Sequence, residues 1–410
     1  MSFPRYPEYK DSGVEWLGEV PAHWSIASFK RLVEFQNGAD HKTVEVGDGY
    51  PVYGSGGVFA QASDYLYDGE SVLLGRKGTI DKPLHVNGKF WTVDTMYWTR
   101  IKEGASGRFC YYAATSFPFA YYSTNTALPS MTQSALGAHL VAYPAKEEQT
   151  AIAAFLDRET AKIDALVAEQ ETLIALLKEK RQAVISHAVT KGLNPDAPMK
   201  PSDIEWLGDV PAHWDVAKGS RIGSLFGSEQ VPEESVRDFG QLPFIKVSSL
   251  SANDFCIESW DWFVDEDIAV SSRPHSRFVV FPKRGAAIFM NKVNVVTVPA
   301  LLDPNLMGWE IREGADPLFF AYVLKIRRLE SLADISTVPQ INNKHIAPEL
   351  FPVPPKNEQH EIVASLDKRL FEVDALTQEA NRAITLLKER RSALISAAVT
   401  GQIDVRGLAG

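Results

Sequence analysis

Two stretches of the chain set cationic side chains against glycine. In GRKGTI, at 75–80, Arg76 and Lys77 stand between Gly75 and Gly78. Glycine lets a backbone approach its partner closely, and two cations there suit a phosphate oxygen or the O6/N7 edge of a guanine. A solvated turn explains the same residue types equally well. PKRGAAIFMNK, at 282–292, offers Lys283, Arg284 and Gly285, then Asn291 and Lys292, in a similar style, and Lys246 in LPFIKVSSL adds a further cation. Towards the end of each half lie TNTALPSMTQSAL and ISTVPQINNKHI, which align with Pro129 over Pro339. Asn125, Thr132 and Gln133 in the first, with Gln340, Asn342 and Asn343 in the second, both donate and accept, as contact with base edges demands; Lys344 contributes charge. Polar loop residues are more often structural than base-reading, so the segments carry more weight than single side chains.

Other chemistries find less support. His23 and His213 sit beside Trp in matching contexts, but no carboxylate or nucleophile recurs in a pattern suited to acid-base work, so a structural histidine against an aromatic is the better reading. YGSGGVF, at 53–59, lacks the lysine of a phosphate-binding loop and reads as a turn. DPLF, at 316–319, is faintly similar to the (D/N)PP(Y/F) motif of amino-methyltransferases, but Leu318 stands in place of the second proline and no glycine-rich cofactor loop accompanies it. A self-standing enzyme is not indicated.

The elements that must position these residues come twice. VEWLGEVPAHW at 14–24 returns as IEWLGDVPAHW at 204–214, and EQTAIAAFLDRETAKIDAL at 148–166 returns as EQHEIVASLDKRLFEVDAL at 358–376. Between phrase and echo run variable stretches, roughly 25–142 and 215–351, of short apolar and β-branched runs broken by Gly, Pro and Asn, which predict strands with turns. After each comes a long stretch free of Pro and Gly. Ile163, Leu166, Leu173, Leu177 and Val184 in the first, and Ile362, Leu366, Val373, Leu376, Leu387 and Leu394 in the second, mark the stripe of a helix that packs on its fellow or on a partner's helix. Gly192, Pro195, Pro198 and Pro201 end the first in a linker; Gly401 stands at the corresponding place in the second.

With 410 residues the chain is too long for one ordinary core, and the repeat favours two domains. No apolar run approaches the roughly 18 residues of a membrane span, and no secretory leader is visible, so the cytoplasm is the expected location. Cys110 and Cys256 show no metal spacing and read as ordinary buried thiols.

The order of phrase, variable stretch and helix, each present twice, resembles the specificity subunit of type I restriction-modification enzymes. YPAKEEQTAI and VPPKNEQHEI open the helices, LLKEKRQAVISHAVT and LLKERRSALISAAVT close them, and the likeness covers nearly the whole chain. The PVYGSGGVF, GRKGTI and GKFWTVDT stretches look like one type of that family's recognition domain. The resemblance implies an α+β chain: two globular mixed α/β target-recognition domains separated by two long helices forming an antiparallel coiled coil, with an internal pseudo-two-fold repeat. Their expected bounds are 1–145 and 204–352 for the domains, 146–190 and 353–400 for the helices, 191–203 for the linker and 401–410 for a tail. It implies a non-catalytic subunit on double-stranded DNA, each domain reading half of a bipartite, asymmetric site. Methyltransferase subunits would modify adenine with S-adenosylmethionine, and a restriction and translocase subunit would join them; Mg, ATP and S-adenosylmethionine are expected there and no cofactor on this chain.

The formal charge of −10 runs against DNA binding by bulk electrostatics. It leaves a competing expectation, a helical scaffold whose variable domains bind protein, and it assigns much non-specific DNA affinity to the partner subunits.

Overall fold

With neither proline nor glycine to break them, Lys146–Lys191 and Lys356–Val399 each form one uninterrupted helix in the computed structural model, which describes residues 3–122, 129–228, 231–334 and 338–408. Asn125 falls outside the described residues. The chain divides into two units, Met1–Thr172 with Ala380–Gly410, and Leu173–Glu379. Each unit therefore contains one globular domain, the beginning of the helix that follows it, and the end of the other helix.

The two domains repeat one topology. In the first unit an antiparallel sheet runs in the order Leu84–Val86, Ser71–Gly75, Met96–Ile101, Val33–Asn37; in the second the order is Asn294–Val296, Phe278–Pro282, Leu306–Ile311, Gly223–Phe226. A second sheet in each contains one parallel pair, Val52 and Tyr53 beside Trp91 and Thr92, or Phe244 and Ile245 beside Leu301 and Leu302. Strand residues such as Val72, Leu74, Val279 and Phe281 are fully buried. Each domain is closed where it joins the helices by a short antiparallel ribbon, Ser25 opposite Tyr143 and Asp215 opposite Val353. YGSGGVF lies in a hairpin, its first strand ending at Gly54 and its second starting at Gly57.

The repeated phrase packs on the end of a helix. Trp24 and Trp214 are both buried, the first in a core with Leu394, Ile395, Ala398 and Val399, the second in a core with Ile185, Ala188 and Val189. Gly401 and Gly192 make this possible. Both have positive φ, 74° and 76°, and a Cβ on Gly401 would meet Pro21 Cδ at 2.3 Å and Trp24 at 3.3 Å; on Gly192 it would meet Trp214 at 3.3 Å. Trp16 is 54% exposed and stacked on His139 at 5.3 Å, while Trp206 is half-buried beneath Arg327. The segment expected as a linker also carries structure, because Met199–Pro201 pairs with Asp209–Pro211 as Tyr9–Asp11 pairs with Glu19–Pro21. Cys110 is buried but Cys256 is exposed, since Phe255 and Ile257 on either side point inward and alternation turns Cys256 out.

Each domain is tied to the start of its own helix by the same side chains. Gln149 and Gln359 are buried; each donates to the carbonyl of a proline before its helix, Pro144 at 2.9 Å and Pro354 at 2.8 Å. Each also accepts from a domain amide, Ser106 at 2.9 Å and Asp316 at 2.8 Å. The Tyr112 hydroxyl donates to Asp157 at 2.6 Å and that of Tyr322 to Asp367 at 3.0 Å. Burial, and then the bond to Asp157, pushes Tyr112 up to about 12, so it remains a donor. Helix meets helix through Arg391 and Asp164 in the first unit and Arg181 and Asp374 in the second. The apolar stripes are not buried throughout: Ile163 and Leu177 are, Leu166 and Leu173 are exposed.

Burial pushes the pKa of His139 down to about 4, below the 6.5 of an exposed imidazole. The unfolded chain therefore takes up a proton that the folded domain refuses, so stability of the first unit is complete above about pH 6.5 and is lost as the pH falls towards 4. Urea unfolding read by hydrogen exchange at 107–122 and 131–143 should show this loss, and His139→Gln should flatten it.

Candidate nucleic-acid interface

The two candidate stretches of each domain are joined by backbone hydrogen bonds between residues more than fifty apart in sequence. In the first unit Gly78 N donates to Pro129 O at 3.0 Å and Met131 N to Arg76 O at 3.0 Å, with Lys77 bridged to Ser130. In the second Gly285 N donates to Pro339 O at 3.0 Å and Ile341 N to Lys283 O at 2.9 Å, with Arg284 bridged to Gln340. Gly78 and Gly285 hold φ at 80° and 78°, the turn that only glycine takes without strain. The strands Ser71–Gly75 and Phe278–Pro282, fully buried, lead directly into these loops and fix where they emerge. Arg76 and Lys283 are half-buried, Lys77 and Arg284 exposed, so the two units present the same pattern with arginine and lysine interchanged. Among the described residues the side chains of Lys77, Lys283 and Arg284 have no ion-pair partner.

Around this loop pair the expected residues take different parts. Arg76 leans on the Asp94 carbonyl at 3.4 Å. Thr132 caps the helix Gln133–Ala138, accepting from Ala135 N at 3.2 Å, and Gln133 donates to Asn37 at 3.1 Å. Asn342 opens the turn Asn343–Ile346, with its backbone amide donating to His345 at 3.0 Å. Gln340 lies within the loop pair; Asn343 and Lys344 are exposed beside it, Lys344 paired with Asp334 at 3.3 Å. Lys246 stands apart, just after the strand Leu242–Ile245 of the second sheet, with its ammonium 3.8 Å from the Trp262 ring, and Lys292 is half-buried ahead of a core strand. Asn291 also braces the fold: its amide nitrogen donates to Lys325 O at 2.8 Å and its oxygen accepts from Leu329 N at 3.0 Å, which leaves one N–H and one lone pair of the amide.

The geometry also gives a place to the two stretches set aside as catalytic. A carboxylate does recur beside the histidines, for His23 lies 2.9 Å from Glu148 and His213 2.7 Å from Glu358, which fastens each phrase to the start of a helix. Asp316 of DPLF is a helix cap, accepting from Leu318 N at 2.8 Å with Pro317 opening the helix Pro317–Arg327. The glutamines, tyrosines and interhelical ion pairs were not singled out from sequence; the glutamines and ion pairs recur within the repeated stretches, which was the available signal, whereas the tyrosines lie in the variable ones.

Comparison with known proteins decides the family. The model of the type I restriction modification DNA specificity domain matches residues 22–175 and again 221–386. The chain belongs to this family of specificity subunits. It is 22% identical to the EcoDI specificity subunit of Escherichia coli, over 95% of this chain and 90% of that one, and 23% identical to a putative type I specificity subunit of Haemophilus influenzae over 85% and 87%. A chain from a structure of type I restriction-modification assembly shares its fold with a TM-score of 0.67 at 17% identity, covering 93% of this chain and 98% of that one. The HsdS subunit of Thermoanaerobacter tengcongensis follows at 0.54 and 16%, with the same coverage. As a specificity subunit it carries two target-recognition domains, and no helix among the described residues is long and apolar enough to cross a membrane.

Proposed function

We propose that the specificity subunit reads a bipartite, asymmetric DNA site, one recognition domain per half-site, and scaffolds methyltransferase and restriction subunits that carry the chemistry. The observation behind this is the loop pair, built identically in both units yet bearing different side chains, as two readers of different sequences require. Arg76, Lys77 and Gly78 with Thr132 and Gln133, and Lys283 and Arg284 with Gln340, Asn342, Asn343 and Lys344, form the contact surfaces in this reading. Lys246 and Lys292 would serve as outlying phosphate contacts.

The helices act as a ruler in an antiparallel coiled coil. From Asp164 to Arg181 along one is as many residues as from Arg391 back to Asp374 along the other, the register of an antiparallel pair. Exposed leucines midway, among them Leu173, Leu176, Leu376 and Leu386, offer surface for partner subunits. An internal pseudo-two-fold repeat would account for two units built alike.

The chain alone should not methylate DNA; with its methyltransferase partner and S-adenosylmethionine it should methylate adenines in one bipartite sequence. Methylation by the isolated chain, or partner-dependent methylation without sequence preference, would overturn the reading. Inserting four residues into each helix should lengthen it by about 6 Å and widen the gap between half-sites by one to two base pairs at about 3.4 Å each. Sequencing of methylated sites gives the answer, and an unchanged gap would dismiss the ruler.

A further inference from the structure

The second domain carries an exposed apolar pair beside its cationic loop. Phe289 is 49% and Met290 58% exposed, immediately after the short turn Ala286–Ile288. Ordinary exposed apolar residues sit on mobile or incidental surface, but this pair is held from both sides. Upstream, Gly285 N is bonded to Pro339 O. Beneath, Ile288 is fully buried. Downstream, Asn291 takes φ of 49° and clamps Lys325 O and Leu329 N with its amide. Lys325 is anchored in turn, its ammonium on Ala252 O and 4.6 Å from the Phe255 ring. The first domain has no counterpart: at the same distances after Gly78 stand the exposed Lys82 and the buried Pro83. The frame is thus shared and the apolar tip is not, which is the expected behaviour of a sequence-reading feature.

We infer that Phe289 and Met290 make an apolar contact with the bases of the second half-site. The inference rests on the assignment of the Lys283–Gly285 loop to DNA. Cations on one side of the pair, Lys283 and Arg284, complement phosphate, whereas the buried centre of a protein interface is depleted of charge. Two partners in DNA offer apolar surface, the methyl group of thymine and the face of a base pair at an opened step. A rigidly braced tip suits both, because a yielding one would give back the free energy gained from the contact.

The test uses the complex with its methyltransferase partner and a duplex carrying the site that it methylates. Phe289→Ala combined with Met290→Ala should weaken binding about tenfold or more, as loss of a buried apolar side chain implies, with its salt dependence unchanged. Scanning the second half-site should reveal one position where uracil for thymine weakens wild type but not the variant, identifying the methyl group. Alternatively, 2-aminopurine brightens there only with wild type, identifying an opened step; either supports the contact. Lys283→Ala with Arg284→Ala separates the two levels. If that change weakens binding and the apolar variant does not, the inference fails alone; if neither weakens it, the DNA face itself is misplaced. Loss of partner assembly in the apolar variant would mark a protein contact and overturn the inference.

Discussion

Replacing Trp24 with alanine should destabilise the first unit by about 3–5 kcal/mol, the cost of a large cavity in a closed core. Trp24 is 1% exposed, its ring lies against Tyr6 at 5.9 Å, and its indole N–H donates to Glu148 at 3.1 Å. Glu148 also takes the hydroxyl of Tyr6 at 2.8 Å and His23 at 2.9 Å, so one carboxylate gathers three side chains onto the start of the first helix. Trp214 fills the same place in the second unit, but its indole nitrogen is buried without a partner. Phenylalanine therefore distinguishes the two. Trp24→Phe removes a hydrogen bond to a charged acceptor as well as volume, whereas Trp214→Phe removes volume and an unsatisfied donor, so the first should cost more by about 1–2 kcal/mol. Denaturation followed by hydrogen exchange in each unit measures both, and equal costs would show that the Glu148 bond contributes nothing.

A second large effect is expected from exchanging a whole recognition domain. Putting a copy of 25–143 in place of 215–353 should convert the asymmetric site into one with two like half-sites in inverted orientation. Preference for the original sequence should fall by about a thousandfold or more, towards non-specific binding. The junctions suit the graft because Ser25 faces Tyr143 and Asp215 faces Val353 in the closing ribbons. The socket suits it too. Gln359 would accept from Ser106 as it now accepts from Asp316, and Asp367 would receive Tyr112 in place of Tyr322. Tyr112 now also touches Thr160 at 3.2 Å, whereas the second unit offers Leu370 among its buried neighbours, a position that Tyr322 already tolerates. Sequencing of methylated sites in a host carrying the exchanged chain is decisive. Continued methylation of the asymmetric site would place the reading residues outside the variable stretch.

Much of the frame was legible in the sequence because repetition makes local signals reinforce each other. Helix ends, phrase and strand-rich stretches are all set by neighbouring residues: Gly192 and Gly401 stop their helices, and Pro and Gly punctuate the sheets. The pairing of Gly78 with Pro129 and of Gly285 with Pro339 is set by sheet topology, and no local rule brings segments so far apart into register. Asn291 shows the limit from the other side. An asparagine in a cationic stretch has the right chemistry for a base, and only the structure reveals that its amide also braces two backbone groups. Trp16 and Trp206 show it again, since nearly identical phrases meet different neighbours, His139 in one unit and Arg327 in the other.

The way the units divide the chain governs the order in which a ribosome can complete them. The second unit, Leu173–Glu379, is a continuous segment and has all its parts once Glu379 has emerged. The first must wait for Ala380 onward: the core around Trp24 needs Leu394, Ile395, Ala398 and Val399, Gln402 donates to Glu19 O at 2.7 Å, and Asp404 N to Pro4 O at 2.7 Å. Domains ordinarily fold in the order of their synthesis. Here the unit begun first is finished last, and during translation of more than two hundred residues its apolar phrase lacks the helix end that covers it. A nascent chain whose residues up to 380 have emerged would hold all of the second unit and an incomplete first, with Trp24 still without the helix end that buries it.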